Sequence, residues 1–406
     1  MIASDSGMSH EGQLREGHLR EGHLREGHLR EGFTTGSAAA AAARAATIFA
    51  LTGEAPQTVD IPLPAPHEGR LTIPVADIVD EDLSVRAAVV KDGGDDPDAT
   101  HGARIEALVT VDPAFSGVGP HVLIGGGRGV GTVTLPGLPV PVGRAAINPA
   151  PEAQIRASVL EVLPEGFTGV VLVAIEVPDG EERAKHTLNP RLGIMGGISI
   201  LGTGGIVRPY SHAAWAACID AGLDVARAAG HSVAVLTTGR RSERLLQAAH
   251  PFVPDICLVQ AADFFAHAMR AAAERGFTSV AWAVFPGKLT KQAQGLAYTH
   301  ARDTALDFAQ LGKAASQAGA DDVTANAVAG CATAGHAFAL LPPDVRTRLA
   351  ALLAGRAREA ALGHSGAALD VRYLVFDSDG AALFADPLDA ALFSPSSPLH
   401  PGAGSR

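Results

Sequence analysis

Cysteine, aromatic side chains and charge are all scarce in this sequence. Only three cysteines occur in 406 residues, Cys218, Cys257 and Cys331, and their spacing fits neither CxxC nor a metal-finger pattern. That argues against a disulfide framework and a structural zinc site, and it points to free thiols in a reducing compartment. Aromatics make up 5% and charged residues 18% of the chain, so the core must be filled by Ala, Val, Leu and Gly at close backbone distances. No apolar run reaches the ~20 residues of a membrane helix, and the N-terminus lacks the charged, apolar and small-residue zones of a signal peptide. A cytoplasmic protein is expected. Basic charge is not in excess either: 43 acidic against 32 basic residues give a formal net charge of −11, the wrong sign for a protein that lives on phosphates. Neither a membrane nor nucleic acid is expected as a partner, and a homo-oligomer stays open.

What is present suits two domains of ordinary size. Residues 1–32 form a tail built on the repeat EGHLR, with a Gly in every unit that opposes helix. Five residues advance a helix about 140° from the last equivalent position, so His18, His23 and His28 could not share one metal-binding face. A disordered repeat is expected there. Phe33-Thr34-Thr35-Gly36-Ser37 then reads as a capped turn opening an Ala-rich helix that ends near Leu51 and Gly53. From Val59 to Thr134 short β-type segments alternate with Gly, Pro and Asp turns, predicting a mixed or antiparallel sheet. Asn148 to Leu163 reads as a Pro-initiated helix. The expected division is an α+β domain over 33–165, a Rossmann-like parallel-sheet α/β domain over 166–392 and a flexible tail over 393–406, with the ligand cleft between the domains. Strands of the second domain are expected at Gly169–Val177, Ile194–Leu201, Ser232–Thr237, Ile256–Gln260 and Val280–Val284, with helices between them.

Three glycine turns are expected at carboxyl ends of those strands, where α/β sheets bind ligands: Gly202-Thr203-Gly204-Gly205, Thr238-Gly239 and Gly287. Glycine lets a ligand approach the backbone, and a following helix N-terminus offers free N–H groups to a carboxylate or ribose. Glycine also simply serves tight turns, but three such turns along one sheet edge favour a ligand cleft. None is a dinucleotide fingerprint, because Val207 stands where GxGxxG after Gly202 and Gly204 requires glycine, and neither GxxxxGK[ST] nor GxSxG occurs. The acidic loop from Lys91 to His101 lacks EF-hand spacing; it is either a solvated turn or a substrate-facing loop in which Asp96 or His101 acts as a base. Arg191 and Arg208 read either as surface charges or as forks for ligand carboxylates.

Several of these strings together resemble one family. LREGFTTGSAAAAAARAA (Leu29 to Ala46), VVKDGGDDPDATHG (Val89 to Gly102), GGRGVGTVTLPGLPVPVGRAAINPAP (Gly126 to Pro151), LNPRLGIMGGISILGTGGIVRPYS (Leu188 to Ser211), TTGRRSE (Thr237 to Glu243) and PGKLTK (Pro286 to Lys291) closely resemble the CbiD family of cobalt-precorrin-5B (C1)-methyltransferases. The resemblance implies S-adenosylmethionine-dependent methylation of C1 on a cobalt-containing corrin precursor in anaerobic cobalamin biosynthesis. The many carboxylates of such a substrate add Arg240, Arg241, Lys288 and Lys291 to Arg191 and Arg208 as its candidate anchors, and add His300 to Asp96 and His101 as a candidate for proton removal. The three glycine turns become the candidate cofactor site. No metal of the protein's own is implied. The chain departs from the family pattern at Ala38, Gly204 and Glu152, where members carry Cys, Thr and a basic residue; Ala38 rules out a cysteine nucleophile there. The alternative function is a corrinoid-binding or hand-over protein, which would need no sulfonium pocket; an unrelated nucleotide-binding enzyme is disfavoured by the missing fingerprints.

Overall fold

The computed structural model describes residues 29–113, 119–366 and 368–395. The repeats before residue 29 and the last eleven residues lie outside them. Helix α1 (Thr35–Thr52) is the centre of the first half. The Thr34 side chain accepts from Ser37 N, and Gly53 closes the helix in the left-handed conformation at φ 73°, as the capping residues predict. Ala38 to Ala43, Ala45 and Ala46 are all 0% exposed. Such a helix can be covered on every side because alanine holds neighbouring backbones close.

One cover is a five-stranded mixed sheet of β1 (Asp77–Glu81), β2 (Ser84–Val90), β3 (Arg104–Asp112), β4 (His121–Gly126) and β5 (Val170–Glu176) in the order β1-β2-β3-β5-β4. Another is α2 (Pro149–Leu160), which packs along α1. Arg44 leaves α1 to reach Ser158 O at 3.2 Å and Glu161 Oε2 at 2.7 Å. The hairpin of Thr58–Pro62 with Arg70–Pro74 also packs on this core.

Beyond α3 (His212–Ala228) a second sheet forms from β6 (Val233–Thr237), β7 (Leu258–Gln260), β8 (Ser279–Val284), β9 (Asp370–Phe376) and β10 (Ala382–Ala385). Its order is β7-β6-β8-β9-β10, parallel except for the last pair. Helices cover both faces. α3, α5 (Phe265–Glu274), α7 (Phe308–Gln317) and α10 (Pro343–Ser365) pack on one face, and α4 (Arg240–Ala249) packs on the other. α6 (Pro286–Ala293), α8 (Asp322–Ala329) and α9 (Ala334–Ala339) complete the long connection from β8 to β9. No helix among the described residues is long and apolar enough to cross a membrane.

Four expectations need correction. Residues 169–177 do not open the parallel sheet: β5 pairs antiparallel with β3 and parallel with β4. Its burial is uneven, with Val171, Val173 and Ile175 inside and Leu172 44% exposed, which suits a sheet with one wet face; β6 and β8 are buried at every position. Residues 194–201 are not one strand either. Gly196, at φ 81°, breaks the run into Ile194–Met195 and Gly197–Ile198, which pair with Thr132–Val133 and Gly129–Val130. At the two expected tails, Gly32–Phe33 pairs with Ile206–Val207, and Phe393 is buried against the face that carries α4.

The tight seat of α1 predicts the effect of enlarging it. Ala40→Leu should lower stability by about 1–3 kcal/mol through overpacking, read as a lower urea midpoint; an unchanged midpoint would show that the site has room.

Candidate active site

In the second sheet the connections from β6 and β8 depart in opposite directions along the sheet, which opens a crevice at their carboxyl ends. A cavity of about 630 Å³ lies there, within the range of small-ligand sites. Thr238, Gly239, Arg241 and Ser242 line it from the β6–α4 turn, and Phe285, Gly287, Lys288 and Lys291 from the start of α6. The segment from Thr299 to Phe308 and residues 332–334 provide the remaining walls. Neither α4 nor α6 has a side-chain N-cap, so both helices leave backbone donors at this end. A Cβ at Gly239 would meet nothing, and one at Gly287 only Ala334 Cβ at 3.9 Å.

The two lysines act differently. Lys291 is only 7% exposed, and its ammonium donates to the carbonyls of Thr299 at 3.2 Å, His300 at 2.9 Å and Thr304 at 2.6 Å. All three donors are used on the cavity wall, so Lys291 holds the wall and is not the substrate anchor it was expected to be. Lys288 donates to Thr299 O at 3.2 Å and contacts the Asp263 carboxylate. Burial, with the Lys291 ammonium beside it, pushes Lys288 below its ordinary value; the Asp263 contact pulls the other way. Arg241 lies over the Phe285 ring at 5.2 Å and donates to Ser378 O. Arg240 is exposed and outside the cavity lining.

Arg191 is not a free fork. Its guanidinium meets Glu243 in two hydrogen bonds of 2.8 and 2.6 Å, and Gln260 Nε2 donates to the same carboxylate at 3.2 Å. The pair fastens the 187–193 loop to α4, beside the cavity. Its hydrogen bonds to Glu243 and the charge of that carboxylate hold Arg191 above its ordinary value, against burial.

The third glycine turn lies elsewhere. Gly205 O accepts from Thr34 N at 3.0 Å and Ser37 Oγ at 2.8 Å, and Leu201 O accepts from Gly36 N at 3.1 Å. Gly202 to Gly205, with exposed Thr203 among them, therefore seat the start of α1 and do not line the cavity. Gly205 sits at φ 75°, where a Cβ would lie 2.9 Å from Leu63 and Pro64; it is a packing glycine. Phe33 N donates to Asp92 O at 2.8 Å, and Tyr210 N donates to Asp96 Oδ1 at 3.0 Å. Segments 30–37, 92–101 and 201–210 thus form a second cluster. In it His101 Nδ1 accepts from Gly93 N at 3.0 Å, which puts any neutral-ring proton on Nε2. Asp96 and His101 are occupied in holding the loop, and Arg208, 75% exposed, faces Glu31 at 3.1 Å.

Between the two clusters, Tyr298 Oη lies 3.2 Å from His212 Nε2, and Tyr298 stacks on His300 at 6.1 Å. His300 is flanked by the lining residues Thr299 and Ala301 without being in the lining itself, and no hydrogen bond or ion pair among the described residues joins it to Asp96 or His101. Sequence reasoning missed Asp263, Phe285, the 301–308 wall and the role of Glu243. An acidic residue just past the second parallel strand was the available signal for Asp263; nothing local marks the others.

An α/β protein with a ligand cavity at the switch point of a parallel sheet is the class these features define. The CbiD family model matches residues 23–209 and the CbiD C-terminal-domain model residues 298–387. A cobalt-precorrin-5B C(1)-methyltransferase from Nitratidesulfovibrio vulgaris is 49% identical over 358 residues, covering 86% of this chain and 91% of that protein. One of the same name from Geobacillus kaustophilus is 45% identical, covering 86% and 93%. The chain belongs to the CbiD family. The crystal structure of the cobalamin biosynthesis protein (cbiD) from Archaeoglobus fulgidus is 31% identical over 66% of this chain and 80% of that one; its TM-score of 0.35 is too low to bear on the fold.

Two predictions follow from the ion pairs. Arg191→Met leaves Glu243 buried without its partner and should cost roughly 3 kcal/mol, measured by denaturant unfolding; a loss under about 1 kcal/mol would show that the pair is not structural. In the acidic loop Lys91 is buried and lies 2.6 Å from Asp98. Burial alone would raise the Asp98 carboxyl, but Lys91 and the Thr100 hydrogen bonds hold it below its ordinary value. Its contribution is therefore present above the unfolded carboxyl value of about 3.9 and lost as pH falls through the lower folded value. Asp98→Asn should be less stable at pH 7 and lose less on acidification below about pH 4 than the wild type; parallel pH profiles would refute this.

Proposed function

We propose that this chain methylates C1 of cobalt-precorrin-5B, in the cytoplasm, with S-adenosylmethionine as donor. The observation that carries the reading is the identity to relatives of that name along about nine-tenths of their length. We take the chain as two units that meet near Ser211, where α3 begins, the second of them Rossmann-like; the change from the boundary expected near residue 165 follows β5 into the first sheet.

The donor fits the cavity between β6 and β8. Open space at Gly239 and Gly287 admits a ligand to the backbone. The uncapped starts of α4 and α6 suit a carboxylate or ribose hydroxyls, and Phe285, Leu306 and Phe308 suit an apolar base. When bound, S-adenosylmethionine supplies a methyl group already joined to a good leaving group, so no covalent nucleophile is required of the protein. The chain's task is placement and exclusion of water. Lys291 fixes the 299–304 wall by its carbonyls, and Arg241 and Lys288 put positive charge at the lining. Arg208 and Arg240 supply positive charge outside the cavity for the carboxylates of a large macrocycle.

Gly287→Val tests the assignment. Its Cβ finds space in the structure, so unfolding stability should change by less than about 1 kcal/mol while calorimetric affinity for S-adenosylhomocysteine falls more than about tenfold. Unchanged affinity would move the donor out of this cavity; a wild-type protein that binds neither donor nor product, with or without a corrinoid, would favour a carrier.

A further inference from the structure

His300 stands between two residues that line the cavity, Thr299 and Ala301. Its side chain is 40% exposed, yet Nδ1 is closed off from solvent and lies 3.0 Å from Asp303 Oδ2, close to the carboxylate but not in line for a hydrogen bond with it. The exposed part of the ring therefore excludes Nδ1, and no described residue hydrogen-bonds Nε2. His212, the neighbouring imidazole, differs because its Nε2 is engaged by Tyr298 Oη at 3.2 Å.

The mounting of His300 is rigid. Lys291 holds the carbonyls of His300 itself and of Thr304, the residue after Asp303, at 2.9 and 2.6 Å. The Tyr298 ring stacks on the imidazole at an interplanar angle of 27°. An imidazole with one nitrogen toward a carboxylate and the other free is the arrangement that metal-binding histidines use, since the carboxylate sets the tautomer and raises the basicity of the free nitrogen. A fixed first ligand with a supported second shell is also what accurate placement demands.

We infer that His300 Nε2 is an axial ligand to the cobalt of the substrate, oriented by Asp303. This rests on the corrinoid reading above and specifies how that site holds its substrate. In the step, the Nε2 lone pair forms a bond to cobalt, an axial water leaves, the Nδ1 proton stays toward Asp303, and no electron is transferred. The ligand places the ring at the rim of the cavity and fixes which of its faces meets the methyl donor.

The test uses the full-length protein with cobyrinic acid, a stable cobalt corrinoid that keeps its side-chain carboxylates and whose axial positions carry only exchangeable ligands, reduced to its cobalt(II) form. Electron paramagnetic resonance should show three-line splitting from a single coordinated nitrogen in the wild type and in His212→Ala. The splitting should vanish in His300→Gly and return when free imidazole is added, a rescue that also shows the variant to be folded. Asp303→Asn should weaken the ligated form about 10–100-fold. Bound cobyrinic acid without nitrogen splitting, or splitting that survives in His300→Gly, overturns the ligand. If S-adenosylhomocysteine still binds in that case, the methyltransferase reading stands; binding of neither compound overturns both.

Discussion

A helix buried on all sides must have side chains small enough for every neighbour to reach it, and α1 meets that condition with alanine along most of its length. Its amide donors and capping hydroxyls still require partners, since unsatisfied polar groups in a dry interior are costly. The start of the helix finds them in the carbonyls of Leu201 and Gly205 and in the Thr34 cap. That requirement draws the 201–210 segment onto the helix, and pairing of Gly32–Phe33 with Ile206–Val207 follows from it. The acidic loop is tied to the same place by Arg30, Phe33 and Tyr210. Three distant parts of the chain are thereby fixed ahead of α3, which carries them toward the second sheet.

The cavity there illustrates how little net charge says about a site. The chain as a whole is at −11, yet Arg241, Lys288 and Lys291 line one cavity. Exposed charges more than about 10 Å away are screened, so local groups decide the field. The three cations also have three fates: one stacks on an aromatic ring, one faces a carboxylate, and one is consumed by backbone carbonyls. Only their surroundings separate an anchor for ligand from a fastener of protein.

Local signals carried much of the secondary structure. The Thr34 cap, Gly53 and the Pro at the start of α2 placed helix ends, and unbroken apolar runs placed β6 and β8 as buried parallel strands. The uneven pattern of β5, with Leu172 turned to solvent, held the information that it belongs to a half-wet sheet, but its position in the chain beside the parallel strands suggested otherwise. Of the three glycine turns, those at 239 and 287 sit at the cavity, whereas the one at 202–205 has the same composition and serves packing.

By itself the sequence determined the scarcity of disulfide-forming and aromatic chemistry, the helix boundaries set by caps, and the strings that carry the family likeness. Those depend on residue type and on neighbours a few positions away. Tertiary structure alone decided the sheet that β5 joins, the occupation of Arg191 by Glu243 and the use of Lys291 on the cavity wall. Arg191 and Glu243 are 52 positions apart, and β5 meets β3 only after the whole 113–169 stretch has folded back. A side chain records its own charge and shape, but its partner is chosen by backbone paths that close over such distances, and no local pattern encodes where they close.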